Sequence, residues 1–454
     1  MRSHRLARWA AWSLLVGSAL LPGSARVVGA QSSRDSTAAD STKARLERLE
    51  AELVLLRRQV GEEFSTAVRT RSRLTLTLHA RIQTNLFATS GRTNSVDVPT
   101  FVLAPAARAA RPGSPGTRAL GLSARQSRVG ASASLDSVLG GVFEGDLDLD
   151  FSGGPAEAPG DRRLFPEPRL RTARARLVWE RTELLVGAET PLISDLNPVS
   201  LAAVSVTGFV SAGNLWNWLP QVRVSRDLAV LPGGARVGLQ GAVLAPFTGS
   251  QNVSESDAVD AGERAARPFL QTRVRLQWGN ASAAAYGDGE VRAAGGEIGI
   301  GAHRGWLRTS GTRLETSRAI SGDLLVALLR AVELRGEVYA GQLLRGLGGG
   351  AIGQNFGLAA DGTTTGSPLQ DVAGWFQLNA QAHPSVVTGV GCGFNRVEPA
   401  GRPVRDFNNS CSAHALVRPA LPLFVGLEYR RLATRYIDRV YRASHLNLVL
   451  GFEL

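Results

Sequence analysis

The last eleven residues constrain the fold more than any other stretch. From Ser444 to the end, Leu446, Leu448, Leu450, Phe452 and Leu454 alternate with His445, Asn447, Val449, Gly451 and Glu453. Such alternation puts an apolar row on one face of a strand and a partly polar row on the other. In a soluble sheet the apolar face is buried by helices or by a second sheet. No segment of the chain offers that second layer, and nearly every other periodic segment repeats the same pattern. A closed barrel surrounded by lipid satisfies both rows, because closure pairs every strand edge and only greasy side chains meet hydrocarbon.

The beginning of the chain supports export. Arg2, Arg5 and Arg8 precede an apolar run from Trp9 to Leu21, and Val28-Gly29-Ala30 ends in small residues before Gln31. This is a signal-peptide pattern, expected over 1–30, and its run is too short to cross a bilayer as a helix. Residues 31–42 are small and polar, as a flexible mature terminus would be. Leu46, Leu49, Leu53, Leu56 and Val60 then follow at steps of three and four, with Arg45, Glu47, Arg48, Glu50, Arg57 and Arg58 on the other faces. That seam predicts a short coiled-coil helix over 43–64, stabilised by pairing with copies of itself or by lying against the barrel mouth.

From Arg73 the period becomes two, and the barrel is expected over 73–454. Leu74, Leu76, Leu78, Ala80 and Ile82 alternate with Thr75, Thr77, His79, Arg81 and Gln83. Long loops are expected at 89–118, 191–220 and 345–370, where Pro and Gly cluster, and the second of these either covers the mouth or folds into the lumen. Seventeen alternating runs can be counted, one of them at 281–289, whereas a single-chain bacterial barrel has an even number of strands. Counts from the two ends disagree between 235 and 330, so one run there is false. The expected fold is therefore all-β, an antiparallel up-and-down transmembrane barrel of sixteen strands, with fourteen and eighteen as the alternatives.

Charge placement points to the function. At 141–152, Glu144, Asp146, Asp148 and Asp150 occupy the face opposite Phe143, Leu147, Leu149 and Phe151. Four carboxylates cannot face lipid, so they must meet water or arginines, and Arg169, Arg171, Arg174 and Arg176 on the following strand are the expected partners. Basic residues (51) exceed acidic ones (39), and since Lys43 is the only lysine the excess is arginine. Arg81, Arg223, Arg273, Arg275, Arg335 and Arg430 are the side chains expected to line the lumen, opposed by the four acids, in a channel that favours anions.

Other functions find little support. The histidines after the first, His79, His303, His383, His414 and His445, are scattered, without the spacing of a hydrolase or a metal site, so no catalytic residue, metal or cofactor is expected. Gly346-Leu347-Gly348-Gly349-Gly350 lacks the helix and Gly-Lys-Ser/Thr of a phosphate-binding loop, and export argues against nucleic acid. Cys392 and Cys411 flank a loop at 397–410 at similar distances from its tip, so a disulfide is expected in an oxidising compartment.

The layout resembles the DcaP-like trimeric outer-membrane porins. The resemblance rests on the heptads at 46–60 and on Leu185-Val186-Gly187-Ala188-Glu189-Thr190 leading to Asn214-Leu215-Trp216 and Leu219-Pro220-Gln221-Val222-Arg223. It rests also on Gly341-Gln342-Leu343-Leu344-Arg345-Gly346-Leu347-Gly348 before a long loop. It implies a bacterial outer-membrane location and passive diffusion of small hydrophilic, chiefly anionic solutes. It also implies a homotrimer joined through barrel walls and the heptad helix. Two departures stand out: the chain ends in Leu454 rather than an aromatic residue, and the lysine-lined channel of the related phosphate-selective porins has no counterpart here. The alternative from another class is a structural or adhesive barrel plugged by its own long loops.

Overall fold

In the computed structural model the described residues are 67–69, 74–105, 118–153, 161–201, 207–248, 259–280, 294–308, 313–329, 331–359, 362, 366–437 and 439–454. The signal, flexible-terminus and coiled-coil expectations at 1–64 lie outside them. The described strands form one antiparallel sheet closed on itself into a barrel of sixteen strands. These are β1 (Thr75–Thr89), β2 (Ala119–Ser123 and Arg128–Val138), β3 (Gly141–Gly153), β4 (Glu167–Val178), β5 (Thr182–Glu189), β6 (Leu219–Val230), β7 (Arg236–Leu244) and β8 (Phe269–Asn280). There follow β9 (Ala294–Arg308), β10 (Leu314–Leu329), β11 (Val332–Gln342), β12 (Gln370–His383), β13 (Val386–Val397), β14 (Arg405–Ala420), β15 (Leu423–Tyr436) and β16 (Val440–Glu453).

The two pieces of β2 occupy one position, because both pair with β1: Ala119–Ser123 with Asn85–Thr89, and Arg128–Ser134 with Thr75–Arg81. Closure is made by β16 on β1, from His445 opposite Thr89 to Glu453 opposite Arg81. Where β16 has ended, a short strand at Ala67–Arg69 pairs with Thr75–Thr77. The expected run at 281–289 lies outside the described residues, and the described strands on either side of it, β8 and β9, pair directly. β4 stops at Val178, and Thr182–Glu189 beyond it is a strand of its own.

Sidedness follows the sequence period. On β1, Leu78 and Leu86 are exposed while Arg81, Gln83, Asn85 and Thr89 are buried. The same holds on β6, where Val222 and Val224 are exposed and Gln221, Arg223 and Ser225 are buried. The buried polar row is interior, because the long loops hydrogen-bond to it. Residues 90–118, 190–218, 245–268 and 343–369 connect strands at one end, and at the other end lie short turns such as Leu139-Gly140, Pro384-Ser385 and Leu421-Pro422. Among the described residues no helix is long and apolar enough to cross a membrane, which says nothing of strands.

Gly187 shows how tightly adjacent strands are set. Its φ is +141°, and a Cβ there would lie 2.0 Å from the Ala173 carbonyl oxygen across the β4–β5 ladder. Gly187→Val should therefore cost about 2–4 kcal/mol of stability. Equilibrium urea unfolding in lipid vesicles checks this, with Ala188→Val as the control that leaves the midpoint nearly in place.

Candidate functional site

The interior wall is lined by compensated charge. On β3 the four acids face β2 and β4: Asp148 pairs with Arg128 at 2.7 Å, Asp150 with Arg169 at 2.6 Å, Asp146 with Arg174 at 3.1 Å and Glu144 with Arg176 at 2.6 Å. The strands lie in register so that each acid stands directly opposite its β4 partner, except where a bulge at Asp148 admits both Arg171 and Thr172. Arg171 reaches Asp148 at 3.4 Å and lies 4.7 Å from the ring centre of Trp218. The guanidinium groups of Arg128, Arg169 and Arg171 thus gather round Asp148 and Asp150.

The 190–218 loop enters the barrel rather than covering it. Pro191 and Asn197-Pro198 prevent strand continuation, and the intervening Leu192, Ile193 and Leu196 are too apolar to remain in water. Leu192, Ile193 and Leu215 pack with Ala319, Tyr339 and Ala373 of the wall, while Phe209 stacks on Trp375 at 5.9 Å. Backbone groups without a ladder need partners, and wall side chains supply them. Glu337 accepts from Ser194 Oγ at 2.6 Å, from the Leu196 amide at 2.8 Å and from Trp375 Nε1 at 3.1 Å. Gln377 accepts from the Val199 amide and donates to its carbonyl, both at 2.7 Å, and Glu428 accepts from the Leu201 amide at 2.7 Å. Arg335 donates to the Asn197 carbonyl at 2.9 Å.

Two further loops lean inward. Arg430 donates to the Pro99 carbonyl at 3.1 Å, and the Val102 amide donates to Thr434 Oγ1 at 2.8 Å. Within that first loop Asp97 binds Arg125 at 2.6 Å. Burial of Asp97 disfavours its charged form, but the Arg125 guanidinium prevails and holds the carboxyl below its ordinary range. In the 343–369 segment the Ala351 amide donates to Asp371 at 2.8 Å, and the Asn217 amide donates to the Leu347 carbonyl at 3.1 Å. The glycines read in the sequence as no phosphate loop serve this approach: a Cβ on Gly348 would lie 2.7 Å from the Asn217 nitrogen.

All six arginines expected along the lumen lie on the polar row, and each has a carboxylate within ion-pair reach. Arg81 meets Glu453 at 3.4 Å and stacks over Phe424, and Arg223 meets Asp195 at 3.2 Å. Arg273 is almost fully buried between Glu297 at 2.6 Å, Asp323 at 2.5 Å and Asp195 at 3.6 Å. Arg275 pairs with Asp227 at 3.4 Å, Arg335 with Glu333, and Arg430 with Glu428 at 2.8 Å. Asp195 is deeply buried, which raises its pKa, yet Arg273 and Arg223 bring it below the usual carboxylate range. The acids of β3 are consequently held by neighbouring strands rather than ranged across the lumen from the six arginines. Sequence reasoning missed Asp195, Glu297, Asp323, Glu337, Gln377 and Glu428, although the five on strands occupy polar-row positions that the alternation could have flagged.

Cys392 and Cys411 stand opposite each other on β13 and β14, on the outer face, with their sulfurs bonded. Among the described residues no group of three His, Cys, Asp or Glu side chains could hold a metal ion.

No family model and no curated protein sequence matches the chain. Solved structures do resemble it. OmpF of Salmonella typhi, in complex with daunomycin, superposes with a TM-score of 0.52 at 10% identity, over 86% of this chain and 100% of that one. The anion-selective porin from Comamonas acidovorans gives 0.47 at 11% identity, over 84% of this chain and 100% of its own. OprB of Pseudomonas putida gives 0.46 at 11%, over 84% and 94%. At this identity the likeness to OmpF is one of fold.

The close approach of loop and wall is testable at Gly393, where a Cβ would lie 2.1 Å from the Ala212 carbonyl oxygen. Gly393→Leu should push residues 209–213 off the wall. A cysteine introduced at the buried Ser211 should then react with a water-soluble maleimide about ten times faster than in the Gly393 background, the factor that corresponds to ~1.4 kcal/mol in the opening equilibrium.

Proposed function

We propose that the protein is an outer-membrane porin, through which small hydrophilic solutes diffuse passively along a water-filled lumen narrowed by the 190–218 loop. The observation that carries this reading is the two-sidedness of a closed sixteen-strand barrel. Its outward rows are apolar and exposed, whereas its inward rows are charged, paired and overlaid by polar loop backbone. Among sheets, only a closed barrel can present unbroken hydrogen-bonded backbone to hydrocarbon while keeping ions in its interior. The alternation and the expected export signal support a location in the bacterial outer membrane.

An anion preference belongs to the proposal in a mild form. It is supported by the cluster of Arg128, Arg169 and Arg171 against Asp148 and Asp150. It is limited because Arg223, Arg273, Arg275, Arg335 and Arg430 are matched by carboxylates, and locally cancelled charge contributes little field to a passing ion. Association into a homotrimer through the barrel walls and the heptad helix extends the reading, by resemblance alone.

A plugged structural barrel is the second reading. It is favoured by the complete burial of Asn379, Asn408, His445 and Asn447 on the interior wall. Conductance in planar bilayers separates the two. Discrete steps, grouped in threes for a trimer, with a reversal potential tilted modestly toward anions, are expected of the porin. Arg128→Gln with Arg169→Gln should move that potential to neutral or cation-selective values, and silence across many insertions would establish the plug.

A further inference from the structure

The arginine excess that the lumen does not hold stands on the outside. Arg304, Arg318, Arg396, Arg431 and Arg442 are exposed on the apolar rows of β9, β10, β13, β15 and β16, all near the loop end, and form no ion pair among the described residues. Arg304 and Arg318 are direct cross-strand partners, an arrangement of like charges that is unfavourable without an anion nearby. Arg304 and Arg267 both lie 5.6 Å from the ring centre of Trp306. The outer-face acid of this sector, Asp406, is already taken by Arg435 at 2.8 Å.

One part of this belt encloses a hollow. Where β15, β16, β1 and β2 meet, a cavity of about 400 Å³ is lined by Ala88, Ser90, Arg118, Leu120, Tyr429, Ser444 and Leu446, among others. Its upper row is polar: the Ser444 carbonyl accepts from the Ser90 amide at 2.8 Å, Arg118 of the lining follows one residue beyond the Thr89–Ala119 pair, and Arg431, beside the hollow rather than lining it, stands opposite Ser444. The row below is Tyr429, Leu446, Ala88 and Leu120, with Leu446 opposite both Tyr429 and Ala88. Small side chains in the middle and arginines at both sides leave a gap three strand spacings wide, about 14 Å.

We propose that this hollow binds the anionic, phosphate-bearing headgroup of a lipid in the leaflet at the loop end. Arg118 from the lining and Arg431 from beside it grip the phosphate, the Tyr429 and Ser444 hydroxyls, hydrogen-bonded to each other at 3.0 Å, lie between them, and an acyl chain lies down over Leu446, Ala88 and Leu120. Guanidinium suits this role, since its planar fork matches phosphate oxygens in pairs and its stem lies along apolar surface. The proposal rests on the reading of the outer face as lipid-facing.

The test is native mass spectrometry of the full chain in detergent, titrated with phosphatidylglycerol, with phosphatidylcholine as the zwitterionic comparison. Arg118→Gln with Arg431→Gln should weaken phosphatidylglycerol binding about tenfold and leave phosphatidylcholine unchanged, whereas Arg226→Gln with Arg396→Gln, the same loss of charge elsewhere on the outer face, should bind as wild type. Lysine at both positions should restore part of the affinity, through charge without the paired hydrogen bonds, which a merely misfolded glutamine variant would not explain. Equal binding by wild type and the glutamine variant, or displacement of the lipid by excess inorganic phosphate, would overturn the proposal. Planar-bilayer conductance on the same preparation separates the outcomes: a conducting protein without lipid discrimination fails here alone, and a silent one fails as a porin.

Discussion

A backbone N–H or C=O left unpaired in hydrocarbon costs several kcal/mol, and the closure of β16 on β1 is what removes the last such groups from the strand edges. That requirement sets the rest of the architecture. Closure demands strands of compatible length, strands demand alternation, and alternation divides every segment into an apolar outward row and a polar inward row. The break in β2 between Ser123 and Arg128 is tolerated because β1 still pairs on both sides of it. The loops obey the same rule. Lacking a ladder of their own, they donate their amides to Glu337, Gln377, Glu428 and Asp371, so the interior wall acts as a substitute strand.

Charge is sorted by the same geometry. Inside, Arg273 illustrates the outcome: three carboxylates approach one guanidinium, and removing either side of such a cluster would leave a buried charge uncompensated at a cost of about 3–5 kcal/mol. An interior built this way keeps its loops fixed and its field modest. Outside, arginines without acid partners gather at the loop end of the barrel, where a long side chain can lift its charge out of hydrocarbon toward headgroups.

Much of this was legible in the residues. The period-two rows revealed which side of each strand faces inward, and the Asp ladder of β3 with the arginines of β4 announced their ion pairs, because both sets fall on one parity. Pro and Gly clusters marked three of the four long connections, and the one at 245–268 was missed. What the sequence hid was long-range. Nothing near Glu337 or Glu428 in the chain signals that residues 194–201 will come to rest on them, across separations of 141 and 227 positions. For the same reason the lumen arginines were visible while their neutralisation was not: Asp195 reaches Arg223 and Arg273 only after the loop has folded in.

The central claim is that adjacent residues on one strand face different solvents. Thr77 and the half-exposed Leu78 on β1 test it most directly, since a single step along the chain separates them. Single cysteines at each position, in protein reconstituted into vesicles, can be exposed to a small charged thiol reagent and, after fluorescent labelling, to lipids carrying brominated acyl chains. The account predicts that the cysteine at 77 reacts from water and its label escapes quenching, while the label at 78 is quenched by the lipid. Quenching at 77 with aqueous reactivity at 78, or protection of both from each medium, would contradict it.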